Sequence, residues 1–211
     1  MENIVSRTDY PREREKSSAI PLPLGYIALA FTTALIGCSF AHFLIPTARA
    51  GIGLAIGAML LFGGIVQFLA GMLEYRRGNT LPATVFAAYG GFLATFGLFL
   101  LPASGLASFF GLDSLALNHA LGLLFLCWLV CIGVLLVASP RTHLLLTGVL
   151  AVLGLAYLFL TIGEFANGNT PLLMIGGWLG IVCALLAWYA ALASLLSFAQ
   201  SPFKLPMEQM A

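Results

Sequence analysis

Two short stretches of the sequence, EYRRGNT at residues 74–80 and EFANGNT at residues 164–170, repeat one pattern: a glutamate, three residues, then Gly-Asn-Thr. A carboxyl group in such a place can handle protons at the end of an apolar run. It can equally tie down a loop, because Gly-Asn-Thr is ordinary turn chemistry. The other polar groups inside apolar runs are neutral: Thr32, Thr33, Ser39, Gln67, Thr84, Tyr89, Thr95 and Thr147. Hydroxyls and one amide can donate to a small solute or accept from it, but they bring no fixed charge.

That inventory argues against catalysis. An enzyme centre needs an acid, base, nucleophile or metal cluster at mutual reach, and no Asp, Glu, Lys or Arg falls in the middle of an apolar run. Asp113, Ser114 and His119 are close in sequence, but a helix terminus accounts for all three. His42 and His143 fall at opposite membrane surfaces. Cys38, Cys127, Cys131 and Cys183 all sit in apolar runs. Cys127 and Cys131 are one helical turn apart without a nearby His or acid, a poor metal site, and read as small buried hydrophobes. No catalytic residue, metal or cofactor is expected. A voltage sensor or a primary proton pump would also want charges within the membrane, and a formal charge of +1 gives no footing for nucleic acid.

The elements that hold these groups follow from composition. Hydrophobic residues make up 61% of the chain and charged ones 8%, with a mean hydropathy of +1.03; a soluble domain usually carries about 25% charge. The solvent must be lipid. A helix needs ~20 apolar residues to cross ~30 Å of hydrocarbon, and six such runs fall near 23–44, 51–73, 82–102, 116–138, 143–163 and 171–198. The expected fold is an all-α membrane protein, with a cytoplasmic tail over 1–20, a six-helix transmembrane domain over 21–198 and a second tail over 199–211. With the amino terminus inside, Arg7, Arg12, Arg14, Lys16, Arg76, Arg77, Arg141 and Lys204 fall on the cytoplasmic side and only Arg49 outside, as the positive-inside rule requires.

Helix termini are marked too. Pro23 suits the first turn of the first helix. Thr80 and Thr170 are candidate caps for the third and sixth, each followed by a proline, and Asp113 or Ser114 for the fourth. PASGLASFFGLDS, residues 102–114, reads as a short interfacial segment. The two Glu/Gly-Asn-Thr turns each join the second and third helix of a three-helix half. Three spans per half is odd, so the halves would be inserted in opposite senses, Glu74 cytoplasmic and Glu164 external. Inverted repeats of this sort are a transport architecture. Gly57, Gly64 and Gly71 stand seven apart after Gly53, and Gly176, Gly177 and Gly180 cluster later; small faces allow close helix packing in lipid.

Gln67 falls on the face of Gly64 and Gly71. An amide in hydrocarbon is costly without a hydrogen bond, so it either joins two helices or lines a polar path. Tyr89 precedes Gly90 and Gly91 and aligns with Phe92 and Phe96. Such a stripe serves packing, and a tyrosine beside two glycines can also form a narrow ring that passes a small, weakly hydrated solute.

FGGIVQFLAGMLEYRRGNTLPATVFAAYGGF, residues 62–92, resembles the signature region of the acetate uptake transporters, the succinate–acetate permease-like proteins. PLPLG, residues 21–25, resembles their Asn-Pro-Ala-Pro-Leu-Gly motif, with Ile20, Leu22 and Tyr26 as departures. The resemblance implies six helices per protomer, a homo-hexamer with one path per subunit, and transport of acetate and related small carboxylates, succinate among them. It also implies a constriction of Phe, Tyr and Leu, which falls here on Leu29, Tyr89 and Leu153, with Leu replacing the Phe. Pro21, Pro23 and Gly25 would then shape an entrance at the positive end of the first helix dipole.

The expected function is a plasma (inner) membrane pathway for acetate or similar monocarboxylates, channel-like or proton-coupled. Leu29, Tyr89 and Leu153 would form its narrowest part; Pro21, Pro23, Gly25, Thr32, Thr33, Gln67 and Phe92 would line it. Glu74 and Glu164 would handle protons or tie loops. The alternatives are a channel for small neutral solutes such as amides or ammonia, and a non-transporting membrane partner or sensor.

Overall fold

The computed structural model describes residues 19–44, 48–110, 113–139 and 144–200, with side chains described from residue 53 in the second of these segments. The tails before residue 19 and after 200 lie outside it, as do Arg141 and His143, and so does the side chain of Arg49. Helix α1 spans Leu22–Ala41. Helix α2 runs through Ala48–Ala58, a π-helical stretch Met59–Val66, and Gln67–Arg76. Then come α3 (Thr80–Leu100), α4 (Ser114–Ala138), α5 (Leu144–Phe165) and α6 (Thr170–Phe198). Among the described residues, six helices are long and apolar enough to cross a bilayer, close to the runs drawn from sequence. Between α3 and α4 the interfacial segment is two 3₁₀ turns, Pro102–Ser104 and Leu106–Phe110.

The helices alternate in direction, and two turn regions mark the ends. Arg77 Nη1 donates to the Ala19 carbonyl at 2.9 Å, so α2 finishes beside the start of α1. At the other end, Gly168 lies against Asn118 near the start of α4. Glu74 and Glu164 therefore sit at opposite ends of the bundle. Both turns use a glycine in the left-handed region, Gly78 at φ 76° and Gly168 at φ 71°, where a side chain would be strained.

The caps differ from expectation by one residue. Thr80 and Thr170 are the first helical residues, and Asn79 and Asn169 hold the cap positions. Because the glycine completes the turn, the next residue already has the non-helical backbone a cap needs. Asn169 Oδ1 accepts from Leu172 N at 3.2 Å, whereas Asn79 spends its side chain elsewhere. Asp113 caps α4 by accepting from Leu115 N and Ala116 N, and Pro23 sits in the first turn of α1.

The core is α1, which packs most extensively against α6 and also meets α2 and α3. The approach depends on missing side chains. A Cβ on Gly37 of α1 would lie 2.8 Å from the Gly177 carbonyl oxygen and 2.9 Å from Ile181 N. On α2 the glycine stripe is split. A Cβ on Gly71 would meet Ala87 N at 2.6 Å, and Gly64 faces Ala94, but Gly53 and Gly57 have open space around them. The intervening π-helical stretch explains this, since its i→i+5 bonding rotates the residues that follow and breaks the seven-residue alignment. Cys127 and Cys131 on α4 are exposed rather than buried, because α4 is the least enclosed span and turns Val130, Val134 and Val137 outward.

A Gly37→Ala variant should lose about 2 kcal/mol of stability by overpacking. Gly133→Ala, with nothing within 4 Å, should change it by less than about 0.5 kcal/mol. Thermal unfolding of the two purified proteins in detergent checks this; equal shifts would contradict the packing described.

Candidate substrate pathway

The polar centre of the bundle is built from three hydroxyls on three helices. Thr33 Oγ1 of α1 lies 3.0 Å from Tyr89 OH of α3, and Tyr89 OH lies 3.4 Å from Tyr157 OH of α5. All three side chains are buried. Aromatic packing sets the position of the middle one. The Tyr89 ring stacks on Trp128 of α4 at 5.4 Å and on Phe92 at 6.0 Å, each at an interplanar angle of 10°. Phe92 stacks on Trp128 at 4.8 Å and meets Tyr157 edge-on at 5.4 Å. Offset stacks and edge contacts of this kind favour a fixed geometry, so the phenol is aimed at Thr33 rather than free to swing.

Beside this chain is a cavity of ≈ 10 Å³, room for about one water. Thr33, Tyr89, Leu153 and Tyr157 form one side and the Gly176–Gly180 face of α6 the other. Of the residues predicted from sequence, the structure thus brings Thr33, Tyr89 and Leu153 together. Leu29 lies one turn before Thr33, fully buried, but outside the wall of this cavity. Phe92 supports Tyr89 from behind and does not line it. Thr32 turns toward α2, with Oγ1 at 3.5 Å from the Ala58 carbonyl. Gln67 is fully buried and both of its amide atoms lack a partner among the described residues. It bridges no helices by hydrogen bonding and lines neither this cavity nor the next.

A second cavity of ≈ 70 Å³ opens toward the α5–α6 turn, with Glu164 and Ser39 among otherwise apolar walls that include Met59 and Phe96. Ile36 and Phe40 line both cavities. Phe125, packed edge-on against Phe40 at 6.3 Å and Phe96 at 5.2 Å, helps close the space between them. Glu164 is buried and its side chain has no hydrogen-bond partner among the described residues.

Glu74 is placed differently. Its Oε2 accepts from Asn79 Nδ2 at 2.8 Å, tying its own turn, and Oε1 is buried without a partner among the described residues. Pro21 and Pro23 stand at the start of α1, and Gly25 lies directly against the Phe86 ring, with no space for a side chain. A lateral cleft at this end is walled by residues 78–81 and Thr84 on one side and Val134, Leu135 and Ala138 of α4 on the other. No charged side chain lines the cavity at Tyr89.

Sequence reasoning missed Tyr157 and Trp128. Tyr157 follows Leu153 by one helical turn, so any argument that points Leu153 inward also points the tyrosine inward. Trp128 is the only tryptophan of α4, and its indole Nε1 is buried without a partner among the described residues.

Comparison with known proteins agrees with this architecture. A bacterial acetate channel, SatP, superposes with a TM-score of 0.77 at 28% identity, covering 90% of this chain and 99% of that one. The succinate-acetate/proton symporter SatP of Escherichia coli K12 is 33% identical over 85% of this chain and 89% of its own length. Acetate permease A of Emericella nidulans is 32% identical over 94% of this chain and 68% of its own length. Ammonia transport outward protein 2 of Saccharomyces cerevisiae is 30% identical over 89% and 67%. The family model for GPR1/FUN34/yaaH proteins matches residues 6–211. With the family model matched over residues 6–211 and relatives at 32–33% identity over most of its length, the chain belongs to the GPR1/FUN34/yaaH family.

Proposed function

We propose that this chain carries acetate and related small monocarboxylates across the plasma (inner) membrane, along a path that passes Tyr89. The observation that carries the proposal is a buried, uncharged polar point, the Thr33–Tyr89–Tyr157 chain, beside a cavity lined by Leu153. The names of the relatives supply the substrate class.

Desolvation is the physical problem. Burying a bare ion costs several kcal/mol even after the protein relaxes, and no cation lines the cavity to offset it. Either hydroxyl donors and helix ends share that cost, or the acid crosses with its proton. Passage of the neutral acid would look like symport without a dedicated proton carrier. Leu29, Pro21, Pro23, Gly25, Thr32, Gln67 and Phe92 complete or support the path in this reading. Glu164, unpartnered at the edge of its cavity, is the better candidate for proton handling, and Glu74 is a structural tie. The assembly is a homo-hexamer with one path per subunit.

The two halves are inverted repeats and both termini are cytoplasmic. Matching left-handed glycines in the two turns, at opposite ends of the bundle, support this. A channel for ammonia or another small neutral solute is the second reading, favoured by the neutral lining and by the ammonia-transporting relative.

Uptake of labelled acetate into proteoliposomes should exceed that into empty liposomes; equal uptake would reject acetate, and swelling in formamide without acetate flux would select the neutral-solute reading. Should the neutral acid be the permeant, the protein-dependent rate will rise about tenfold per unit fall in pH well above the acid's pKa; a flat profile would assign the anion. Tyr89→Trp and Leu153→Trp should each cut uptake by about tenfold or more by filling the cavity. Undiminished flux in both would move the path elsewhere. For orientation, single cysteines at Asn79 and Asn169 should react with impermeant reagent from opposite sides, and labelling from one side would end the inverted-repeat account.

A further inference from the structure

The hydroxyl chain has one more proton than it uses. Three hydroxyls in series hold three protons, and the two contacts between them consume two. The spare O–H belongs to an end of the chain, or to Tyr89 where both neighbours donate to it. Thr33, being helical, has a local acceptor available in the carbonyl one turn back. Tyr157 OH has no partner among the described residues besides Tyr89. The link between the phenols is also the weaker one, since 3.4 Å is long against a usual O–H···O range of about 2.5–3.0 Å. An acceptor oxygen arriving there would take a proton donor from each ring while little is given up.

The rest of the wall tells what such an oxygen must be attached to. Beyond the hydroxyls the wall is Leu153, Ile36, Leu160 and the glycine face of α6, with no charged or amide group among the described residues that line it. A compact acceptor head with a short alkyl tail matches this division in kind once the ≈ 10 Å³ cavity opens to admit it, and a carboxyl group offers the head.

We propose that Tyr89 and Tyr157 form a two-phenol subsite for the carboxyl group of a short-chain acid, with Tyr157 the residue that sets preference for a carboxyl over an amide. The acetate reading above supplies only the identity of the head group; the subsite itself follows from the hydroxyl chain and its cavity.

Equilibrium binding of labelled acetate to the purified full-length protein in detergent tests it, with unlabelled acetate and acetamide as competitors. Tyr157→Phe keeps the ring and its packing and removes the donor. It should weaken acetate about tenfold and lower the acetate-to-acetamide preference by the same factor, the loss expected for one hydrogen bond to a charged group. A purely structural role would weaken acetate and acetamide together and leave their ratio unmoved, and an unchanged ratio or unchanged acetate affinity in Tyr157→Phe would overturn the proposal. Should that variant fail to elute as the wild type does, Thr33→Val carries the test, with a smaller loss of preference expected and an undiminished one overturning it. Wild-type protein that binds acetate yet gives no flux in liposomes would remove the transport reading and leave the subsite to be decided by these ratios. Wild-type protein that binds no acetate would overturn the subsite outright.

Discussion

Inside a bilayer a polar group has no water to fall back on, and each buried donor or acceptor left without a partner in the protein is costly. That constraint decides how this molecule is built. Backbone groups are satisfied within six helices, and small hydroxyls bond back to their own helix, as Ser39 does to Leu35 and Thr161 to Tyr157. Against that background Thr33, Tyr89 and Tyr157 stand apart, because their hydroxyls bond to one another and join three helices. A network of neutral hydroxyls is about the most polar feature such an interior holds without a charge. It suits a solute that needs a donor briefly and must then be released.

Positioning that network is the work of glycine and aromatic faces together. Gly37 and Gly177 let α1 and α6 meet backbone to backbone, which brings Thr33 into the middle. On the other side Trp128 and Phe92 hold the Tyr89 ring between α3 and α4. The same aromatic residues continue toward Glu164 through Phe96, Phe125 and Phe40. The structure is therefore closed: a cavity of ≈ 10 Å³ beside Tyr89 is separated by phenylalanines from one of ≈ 70 Å³ below Glu164. Passage of even a small acid requires these rings to move, while the glycine contacts give the helices a firm frame.

Much of this was legible in the sequence, and the part that was not has physical reasons. Long apolar runs fix the number of spans because hydrocarbon thickness fixes helix length. Tyr89, Leu153 and Thr33 stand out in the sequence as polar or constriction positions, and they share a cavity. Leu29 was placed in the same ring and sits one turn away, since a resemblance assigns position along a helix but not the direction a changed side chain takes. The glycine stripe of α2 failed across its π-helical stretch, a local change of winding that no residue in MLLFGGIV announces. The caps fell one residue early because asparagine after a left-handed glycine already has the right backbone. Tyr157 escaped notice as one aromatic among many apolar neighbours, its meaning set by two other helices.

The central claim is that solute passes Tyr89 within a single protomer. Modification at the cavity wall tests it most directly. In a protein with Cys38, Cys127, Cys131 and Cys183 replaced by alanine, a single Leu153→Cys should be reached by a small neutral thiol reagent. Acetate flux should then fall to the level of empty liposomes, and acetate present during the reaction should slow it. Complete modification with flux undiminished would contradict the account.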